Sequence, residues 1–396
     1  MKQQNNNQTL DVTIQKIVPG GYGLAFAENL TVFVSLAAVG DELRVRVKEK
    51  KGKAVFCEIV EILKPSASRA APGCEYFGIC GGCDFQQMSY AVQLEAKVAI
   101  VKDCLTRIGK INYESEIEII GSPQDYGYRS RAQWHLDTRR RKIGYFKRWS
   151  HEIIDVEKCP ILVPRLQEKL SELQTNLNWG EFWENKVEIE TASAGNCVSV
   201  YSPEIIEPTS DIMFEANGEK YFYNAEIFFQ GNQFLIPQLL ETALHGASGA
   251  RALDLFCGAG LFTLPLARKF EKVFGVEANS KSIEFAKKNI ERARLANVEF
   301  FDESVGEFLM ENETELENLD FVLLDPPRMG AEKQTIEALL RFKPKQISYV
   351  SCDPATLSRD LKMLTEEIYS IESITALDLF PQTHHVETVA RLQLKD

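Results

Sequence analysis

The stretch 251–268 restricts the possible folds of this chain more than any other. It reads as a buried strand followed by a turn containing Gly258 and Gly260, and then the start of a helix. A second strand, VFGVEAN, carries Glu277, nineteen residues after Gly258. A strand, a glycine turn, a helix and an acidic strand end form the nucleotide-binding half of a Rossmann-like sheet. The sequence therefore predicts an α/β domain with a mostly parallel sheet.

The sequence of the glycine turn also narrows the class of cofactor that can bind there. Leu-Phe-Thr follows Gly260, so the turn is not G-x-G-x-x-G and a nicotinamide site is disfavoured. With Asp254 before the turn and Glu277 after it, the pattern resembles the S-adenosylmethionine site of class I methyltransferases. In such a site the glycines, here Gly258, permit close backbone approach, and the acid takes the ribose hydroxyls.

Cys352 is predicted to be a nucleophile. It follows an apolar strand, 346–350, and the carboxyl ends of parallel strands are where such sheets bind ligands. Carbon 5 of a pyrimidine must be activated, which a thiolate does by adding to C6 before C5 attacks a sulfonium methyl. Methylation of an exocyclic amine uses an aromatic residue after D-P-P, where this chain has Arg328. The alternative for Cys352 is a packed core thiol.

Glu387 is the candidate for the base that removes the C5 proton. It follows a turn at 381–385 between two strand-like segments, from where it can fold back over the pocket. On spacing alone, a surface glutamate is an equal alternative. His384 and His385 are interpreted as structural or substrate-side groups rather than metal ligands.

Four cysteines indicate a metal site. Cys74, Cys80 and Cys83 have the spacing C-x5-C-x2-C, and Cys159 precedes a proline far downstream. Four thiolates without histidine suit either tetrahedral zinc or a 4Fe–4S cluster. A Cys-Pro ligand favours the cluster, but spacing alone leaves both open.

The N-terminal residues, 10–63, alternate five short strands with glycine turns, which predicts a small OB-type β-barrel. The pattern resembles a TRAM domain. A linker, 64–72, follows. We therefore expect three domains: the barrel (1–64), a central β-rich RNA-binding domain with the cysteines (65–222), and the methyltransferase catalytic domain (223–396). Within the central segment, residues 90–109 have helical periodicity and end at a glycine, and this helix is a candidate to pack on the catalytic domain.

A basic stretch interrupts an otherwise acidic chain. The net charge is −12, yet residues 124–150 are rich in cations interleaved with aromatic side chains. Cations that meet phosphates and rings that stack on bases suit single-stranded RNA. The predicted phosphate contacts are Arg129, Arg131, Arg139, Arg140, Arg141 and Lys142. A solvated basic hairpin explains the same stretch without RNA.

The composition predicts a cytoplasmic protein. The polar start has no secretory segment, and no apolar run is long enough to span a membrane. The nine cysteines are therefore interpreted as ligands, nucleophiles or buried residues rather than as disulfides.

Together these motifs resemble the RNA uracil-5 methyltransferase family, in particular the bacterial 23S rRNA members with a TRAM domain and an iron–sulfur cluster. The resemblance covers nearly the whole chain, through F-x-Q-x-N (228–232), D-L-F-C-G-x-G, D-P-P-R, S-C-D-P-A-T and F-P-Q-T-x-H-x-E. It implies a 4Fe–4S cluster on Cys74, Cys80, Cys83 and Cys159, with Cys352 as nucleophile and Glu387 as base. It also implies cofactor contacts from Gln230, Phe256, Glu277 and Asp325.

Two positions depart from the family pattern. Leu261 stands where the family has an asparagine that contacts the cofactor, and a second such asparagine falls near Ser304. The Leu261 side chain cannot form hydrogen bonds. The resemblance nevertheless implies a methyltransferase that uses S-adenosylmethionine to form 5-methyluridine in RNA, with 23S rRNA as the expected substrate and a flipped uridine as the target. The alternatives are a tRNA substrate and a catalytically silent RNA-binding factor. A radical methylthiotransferase is disfavoured, because it would need C-x3-C-x2-C.

Overall fold

A computed structural model of the chain describes residues 8–204, 209–312, 316 and 318–395. Residues 1–7, which the sequence assigns to the barrel, lie outside the described part. Within it the strands form sheets of six, five, two and eight strands. No helix in the described ranges is long and apolar enough to cross a membrane.

The N-terminal sheet is built from short amphipathic strands. Alternate residues such as Leu10 and Val12 face a small core that also contains Val45 and Val55, as the two-residue period of a strand requires. Its strands pair in the order β1-β5-β6-β4-β3-β2, and six form rather than the expected five. They are β1 (Thr9–Thr13), β2 (Lys16–Val18), β3 (Tyr22–Ala27), β4 (Leu30–Val34), β5 (Glu42–Lys51) and β6 (Ala54–Lys64).

The central sheet has the order β10-β9-β8-β11-β12 and is covered on one face by helix α2 (Pro164–Asn176). Trp134 and Ile189 from the sheet pack against Leu166 and Leu170 of the helix in one core. Its strands are β8 (Arg131–Asp137), β9 (Lys142–Phe146), β10 (Ile153–Asp155), β11 (Lys186–Ala194) and β12 (Cys197–Tyr201).

The C-terminal sheet has the order β17-β16-β15-β18-β19-β21-β20-β7. β15 to β19 pair in parallel, β21 joins β19 antiparallel, and β20 pairs antiparallel with β21. The predicted α/β fold with a terminal antiparallel pair is therefore confirmed. The strands are β15 (Gly249–Leu255), β16 (Phe270–Glu277), β17 (Val298–Asp302), β18 (Phe321–Leu324), β19 (Gln346–Ser351), β20 (Tyr369–Leu377) and β21 (Glu387–Leu394).

Helices cover both faces of this sheet, which is why its strands read as continuous apolar runs. Buried residues lie in two large cores, one on each side, that share the strands between them. The helices are α3 (Ile236–Ala243), α4 (Thr263–Ala267), α5 (Ser280–Arg292), α6 (Val305–Glu311), α7 (Lys333–Phe342) and α8 (Pro354–Glu367).

Segments from the middle of the chain complete the C-terminal sheet. Helix α1 (Tyr90–Cys104) places Val101 in the same core as Leu357 and Leu361 of α8. β7 (Glu118–Ile120) pairs in parallel with β20 and forms the edge of the sheet. The hairpin of β13 (Ile212–Ala216) and β14 (Glu219–Tyr223) packs on the opposite side. Parts of the segment 65–222, including α1 and β7, thus contribute structure to the C-terminal domain.

Candidate active site

The carboxyl edge of the parallel strands collects the predicted cofactor contacts. Leu255, the last residue of β15, pairs with Val276 of β16 and with Leu324 of β18. Residues one step further along these three strands therefore lie side by side at the same edge of the sheet. They are Phe256, Glu277 and Asp325.

β21 brings its first residue to the same edge, because it runs antiparallel to β19. Ser351 pairs with Thr388, and one further step along the ladder sets Cys352 opposite Glu387. Side chains at paired positions lie on the same face of a sheet. The predicted nucleophile and the predicted base are therefore neighbours.

The start of α8 holds Cys352 in place. Asp353 caps the helix, since its Oδ1 accepts hydrogen bonds from the backbone N–H groups of Ala355 at 2.8 Å and Thr356 at 3.0 Å. The Ser351 hydroxyl accepts a hydrogen bond from Asp353 N at 3.2 Å. Cys352 is thereby held between a strand end and a helix cap, partly exposed to the pocket.

Burial and like charges raise the pKa values of three acidic groups in this pocket. Glu387 is 2% exposed, and its Oε1 has no hydrogen-bond partner among the described residues. Burial, and then Asp325, raise the pKa of Glu387 well above its usual range, and burial raises that of Asp325 to about 7. Burial followed by Glu387 and Asp325 raises the pKa of the Cys352 thiol to about 12, against the opposing charge of Arg328.

The glycine turn leaves room for a ligand beside an acidic strand end. Gly258 has φ +53°, and a Cβ placed there meets nothing within 4 Å. Its N–H donates to Glu277 Oε2 at 3.1 Å, and Asn279 N donates to Oε1 at 2.8 Å. Phe256, just before the turn, has φ +63°, a strained conformation for an aromatic residue. Strain of this kind is typical of sites shaped for ligands.

Asp254 lies beneath this turn and is fully buried. Its Oδ2 accepts a hydrogen bond from the Thr263 hydroxyl at 2.5 Å, while Oδ1 has no partner within the described ranges. Burial raises the pKa of Asp254 to about 8. A buried acid with an unpaired oxygen suits a pocket that takes a cationic ligand.

Three further positions are Gln230, a predicted cofactor contact, and the two that depart from the family pattern, Leu261 and Ser304. Gln230 is 6% exposed in the segment between β14 and α3. Leu261 is a core residue whose carbonyl accepts a hydrogen bond from Tyr221 at 3.2 Å. Ser304 caps α6 by accepting from Glu307 N at 3.3 Å. Leu261 and Ser304 are therefore used by the fold itself.

The loop that carries Cys80 and Cys83 contacts the turn before Glu387, residues 378–386. Asp84 Oδ2 lies 2.6 Å from His384 Nδ1, and Asp84 Oδ1 accepts from Arg148 Nη1 at 2.9 Å. The rings of His384 and His385 lie 4.1 Å apart. Arg328 Nη2 lies 3.4 Å from His385 Nε2. A continuous set of contacts thus joins the cysteine loop to the pocket around Cys352.

Helix α1 fastens the same turn from another side. Lys97 and Asp378 form an ion pair with both side chains fully buried, and Lys97 Nζ also donates to Phe380 O at 3.0 Å. Gln93 Nε2 donates a hydrogen bond to Gln382 Oε1 at 2.9 Å, and Gln382 N donates to Gln93 Oε1 at 3.0 Å. The turn that leads into Glu387 is therefore held by buried polar contacts.

The four predicted metal-binding cysteines line one cavity of about 210 Å³: Cys74, Cys80, Cys83 and Cys159. Burial is the first cause that raises the pKa values of all four thiols, to about 12 for Cys83 and about 11 for Cys159. No three His, Cys, Asp or Glu side chains in the described part of the chain converge as ligands of one metal ion. The four thiols therefore share one cavity.

The basic stretch divides into buried and exposed parts. Arg129 is partly buried at the wall of the cysteine cavity, and its Nε donates to Arg131 O at 2.9 Å. The Arg131 side chain is 17% exposed, pairs with Glu190 and donates to Ala225 O at 3.2 Å. The structure thus gives both residues protein partners where the sequence predicts phosphate contacts. The run around the β8–β9 turn carries exposed arginines and a half-buried lysine: Arg139, Arg140, Arg141 and Lys142.

Lys97 and Asp84, which hold the turn before Glu387, were not predicted from the sequence. Lys97 falls on the buried face of α1 together with Gln93, Ile100 and Cys104, and a cation at that helical spacing is a signal of a buried ion pair. Asp84 directly follows a predicted metal ligand, but nothing in the sequence connects it with His384, 300 residues away.

Comparison with known proteins gives concordant results. Residues 165–395 match the model of the tRNA (uracil-5-)-methyltransferase family. The chain is 30% identical to a 23S rRNA (uracil(1939)-C(5))-methyltransferase of Pectobacterium atrosepticum, covering 97% of this chain and 93% of that protein. It is 31% identical to the enzyme of the same name from Vibrio vulnificus, covering 98% and 97%.

The fold also has a solved counterpart. A Pyrococcus abyssi tRNA (uracil-54, C5)-methyltransferase in complex with S-adenosyl-L-homocysteine superposes with a TM-score of 0.76 at 26% identity. The match covers 97% of this chain and all of that one. The likeness therefore includes the N-terminal and central sheets as well as the sheet that carries Cys352.

Proposed function

Because the chain belongs to the tRNA (uracil-5-)-methyltransferase family, we propose that Cys352 is its nucleophile and Glu387 its base. The protein is an S-adenosylmethionine-dependent RNA methyltransferase that forms 5-methyluridine. The observation that supports the two residue roles is the pairing of Ser351 with Thr388 in β19 and β21, because Cys352 and Glu387 are the next residues beyond that pair.

The proposed reaction begins at the thiol. The Cys352 thiolate adds to C6 of the uracil, and the C5–C6 electron pair becomes available at C5. S-adenosylmethionine supplies the methyl group as a sulfonium, whose S–CH₃ bond breaks as the C5–CH₃ bond forms. Glu387 then takes the C5 proton, the C5=C6 double bond forms again, and Cys352 leaves as a thiolate.

Acidic groups around the pocket would bind and orient the cationic cofactor. Glu277 faces the glycine turn at Gly258, where the ribose would bind, and Asp325 lies between that turn and Cys352. We propose Gln230 and Phe256 as further contacts at the same edge. The positive charge of Arg328 lowers the pKa of the Cys352 thiol and so favours the thiolate, whereas the neighbouring carboxylates raise that pKa.

We propose 23S rRNA as the substrate. Support comes from relatives named for 23S rRNA that match over nearly their full length. A tRNA substrate is the second candidate, supported by the likeness to the Pyrococcus tRNA methyltransferase. Methylation of protein-free 23S rRNA and of total tRNA by the same preparation, followed by mapping of 5-methyluridine, separates the two. The target uridine would be flipped out of a loop, because the pocket must reach C5 and C6.

The covalent role of Cys352 has a direct test. Cys352→Ala should abolish formation of 5-methyluridine, and it should no longer become linked to RNA in which 5-fluorouridine blocks the release of the thiolate. The matched control is Cys197→Ala, because Cys197 is exposed at the start of β12. Methyl transfer by Cys352→Ala at the parent rate would show that the mechanism is not covalent.

We propose that Cys74, Cys80, Cys83 and Cys159 hold a 4Fe–4S cluster, which would join the cysteine loop to the segment before α2. The donor set fits: four thiols line one cavity, and Gly82 N donates to Cys80 Sγ at 3.4 Å. Cys83→Ser should lower iron and acid-labile sulfide per chain and weaken visible absorption. Cys57→Ser, in the core of the N-terminal sheet, should leave both unchanged. Zinc in the purified parent protein in place of iron and sulfide would contradict the proposal.

We propose that the β8–β9 turn contacts RNA phosphates. Arg139, Arg140 and Arg141 are exposed there, and Lys142 begins the following strand. Contacts of this kind weaken with salt because they release counterions from the RNA.

A further inference from the structure

Trp149 is a largely exposed ring in the turn between β9 and β10. It is 74% exposed at the end of the hairpin after β9 and has φ +61°. A bulky side chain in the left-handed region is strained, and such strain persists only where neighbouring contacts impose it. The neighbouring contacts are backbone hydrogen bonds: Arg148 N donates to Ile79 O at 2.8 Å, and Ser150 N donates to Lys147 O at 3.0 Å.

The Trp149 ring stacks on Tyr22, with centroids 6.1 Å apart and planes at 28°. Tyr22 begins β3 of the N-terminal sheet, and its ring meets Phe56 edge-on at 5.5 Å. Phe56 in turn stacks on Phe33 at 5.1 Å. Tyr22 and Trp149 therefore form a supported pair of rings, here called the aromatic platform. At 74% exposure, Trp149 has much of its surface open to solvent.

The aromatic platform is continuous with the catalytic pocket. A Cβ placed on Gly21, the neighbour of Tyr22, would lie 2.9 Å from His384 Cβ. The His384 ring packs on His385, and His385 meets Arg328. A strand of RNA with its uracil at Cys352 would thus reach the platform by crossing this short chain of side chains.

Stacking rather than charge characterises this surface. Lys51 lies over the Phe56 ring at 5.4 Å but also pairs with Glu49 at 3.0 Å, and Lys147 pairs with Glu152 at 3.6 Å. Because each of these two cations already has an acidic partner, the platform offers mainly ring faces. Ring faces bind unpaired bases of any sequence, whereas paired bases have no free face to offer.

We propose that the aromatic platform binds an unpaired base of the substrate RNA, a nucleotide that flanks the target uridine. This rests on the proposed function for the identity of the polymer, but the stacking site is separate from the site of methyl transfer. Its role is to hold the strand outside the pocket while the target base is inserted.

The test uses short single-stranded oligouridine and the full-length protein, and fluorescence anisotropy measures binding without any need for catalysis. Trp149→Leu should weaken binding by roughly 5- to 100-fold, the loss expected for one stacked base. Trp149→Phe, which keeps a ring, should recover most of the affinity. Trp183→Leu is the matched control, because Trp183 is 96% exposed in the loop before β11.

Methylation of protein-free 23S rRNA gives the second readout. Trp149→Leu should raise KM for RNA with a smaller change in kcat, and Trp149→Phe should stay close to the parent protein. The anisotropy measurement involves no methyl transfer, so a failure of the covalent mechanism would leave this test intact. Equal affinity and equal KM for Trp149→Leu and the parent would overturn the platform. So would a defect seen only on assembled ribosomal particles, because that result would assign the rings to a protein partner.

Discussion

Two buried acids in the pocket, Glu387 and Asp254, lower the stability of the folded protein. Glu387 and Asp254 are buried acids, and each has one oxygen without a partner in the described part of the chain. Leaving such a group unsatisfied costs about 1–3 kcal/mol. Burial also raises the pKa values of both carboxyl groups, because a charged group loses its hydration in the pocket.

Removing the base should separate the two halves of the reaction. Glu387→Gln keeps the side-chain volume but cannot take the C5 proton, so methyl transfer should proceed and the RNA should stay attached to Cys352. Release of methylated RNA should fall by about 10²- to 10⁴-fold, the usual contribution of a general base. Denaturing gels with labelled RNA would measure the attached fraction.

Glu372→Gln, an exposed position on β20, is the control for that experiment. Free methylated RNA released by Glu387→Gln at the parent rate would assign proton removal to another group. Asp325 would then be the nearest candidate, since its pKa is raised to about 7.

At the scale of elements, α1 is the part that positions the base. Lys97→Met leaves Asp378 buried and without its cation, so the free energy of unfolding should fall by about 3–5 kcal/mol. Activity should fall as well, because the turn held by Lys97 leads directly into Glu387. Denaturant unfolding and methylation assays would measure the two effects.

A second substitution shows whether the loss comes from the unpaired charge. Adding Asp378→Leu to Lys97→Met should restore much of the stability, since replacing a whole buried pair costs far less than breaking it. Lys102→Met, an exposed position on the same helix, should change little. A single variant as stable as the parent would contradict the role given to the pair.

Elements were easier to predict than the contacts between them. The strand, turn and helix around Gly258 follow from local pattern, and so does the helix at α1. The proximity of Cys352 to Glu387 depends on the register of β19 and β21, and that register is fixed by packing across the whole sheet. Lys97 and Asp378 are 281 residues apart, so no local pattern connects them. Arg131 illustrates the converse case. The basic, aromatic-rich stretch around it suggested RNA contact, whereas in the fold its side chain contacts Glu190 and the Ala225 carbonyl.

At the scale of the molecule, the link between the N-terminal sheet and the rest is fixed rather than loose. Asp41 is fully buried and accepts from Arg69 Nε and Nη2, both at 2.8 Å. It also accepts from the backbone N–H of Ser66 at 2.9 Å, within the segment predicted as a linker. The linker is therefore anchored to the sheet that it leaves.

Loss of that anchor should expose the linker. Arg69→Ala removes the cation from a buried carboxylate, and limited proteolysis between residues 64 and 72 should become several-fold faster. Arg46→Ala is the control, since its partner Glu58 is exposed and such pairs contribute little. Unchanged cleavage in Arg69→Ala would show that other contacts hold the linker.

The edge strand β7 has a consequence for the order in which the protein is made. Its partner β20 begins about 250 residues later in the chain, and a ribosome adds roughly 5–20 residues per second. The nascent chain therefore carries β7 for on the order of 12 to 50 seconds before its partner strand has been synthesised. Until then the edge of the C-terminal sheet that β7 forms cannot be completed.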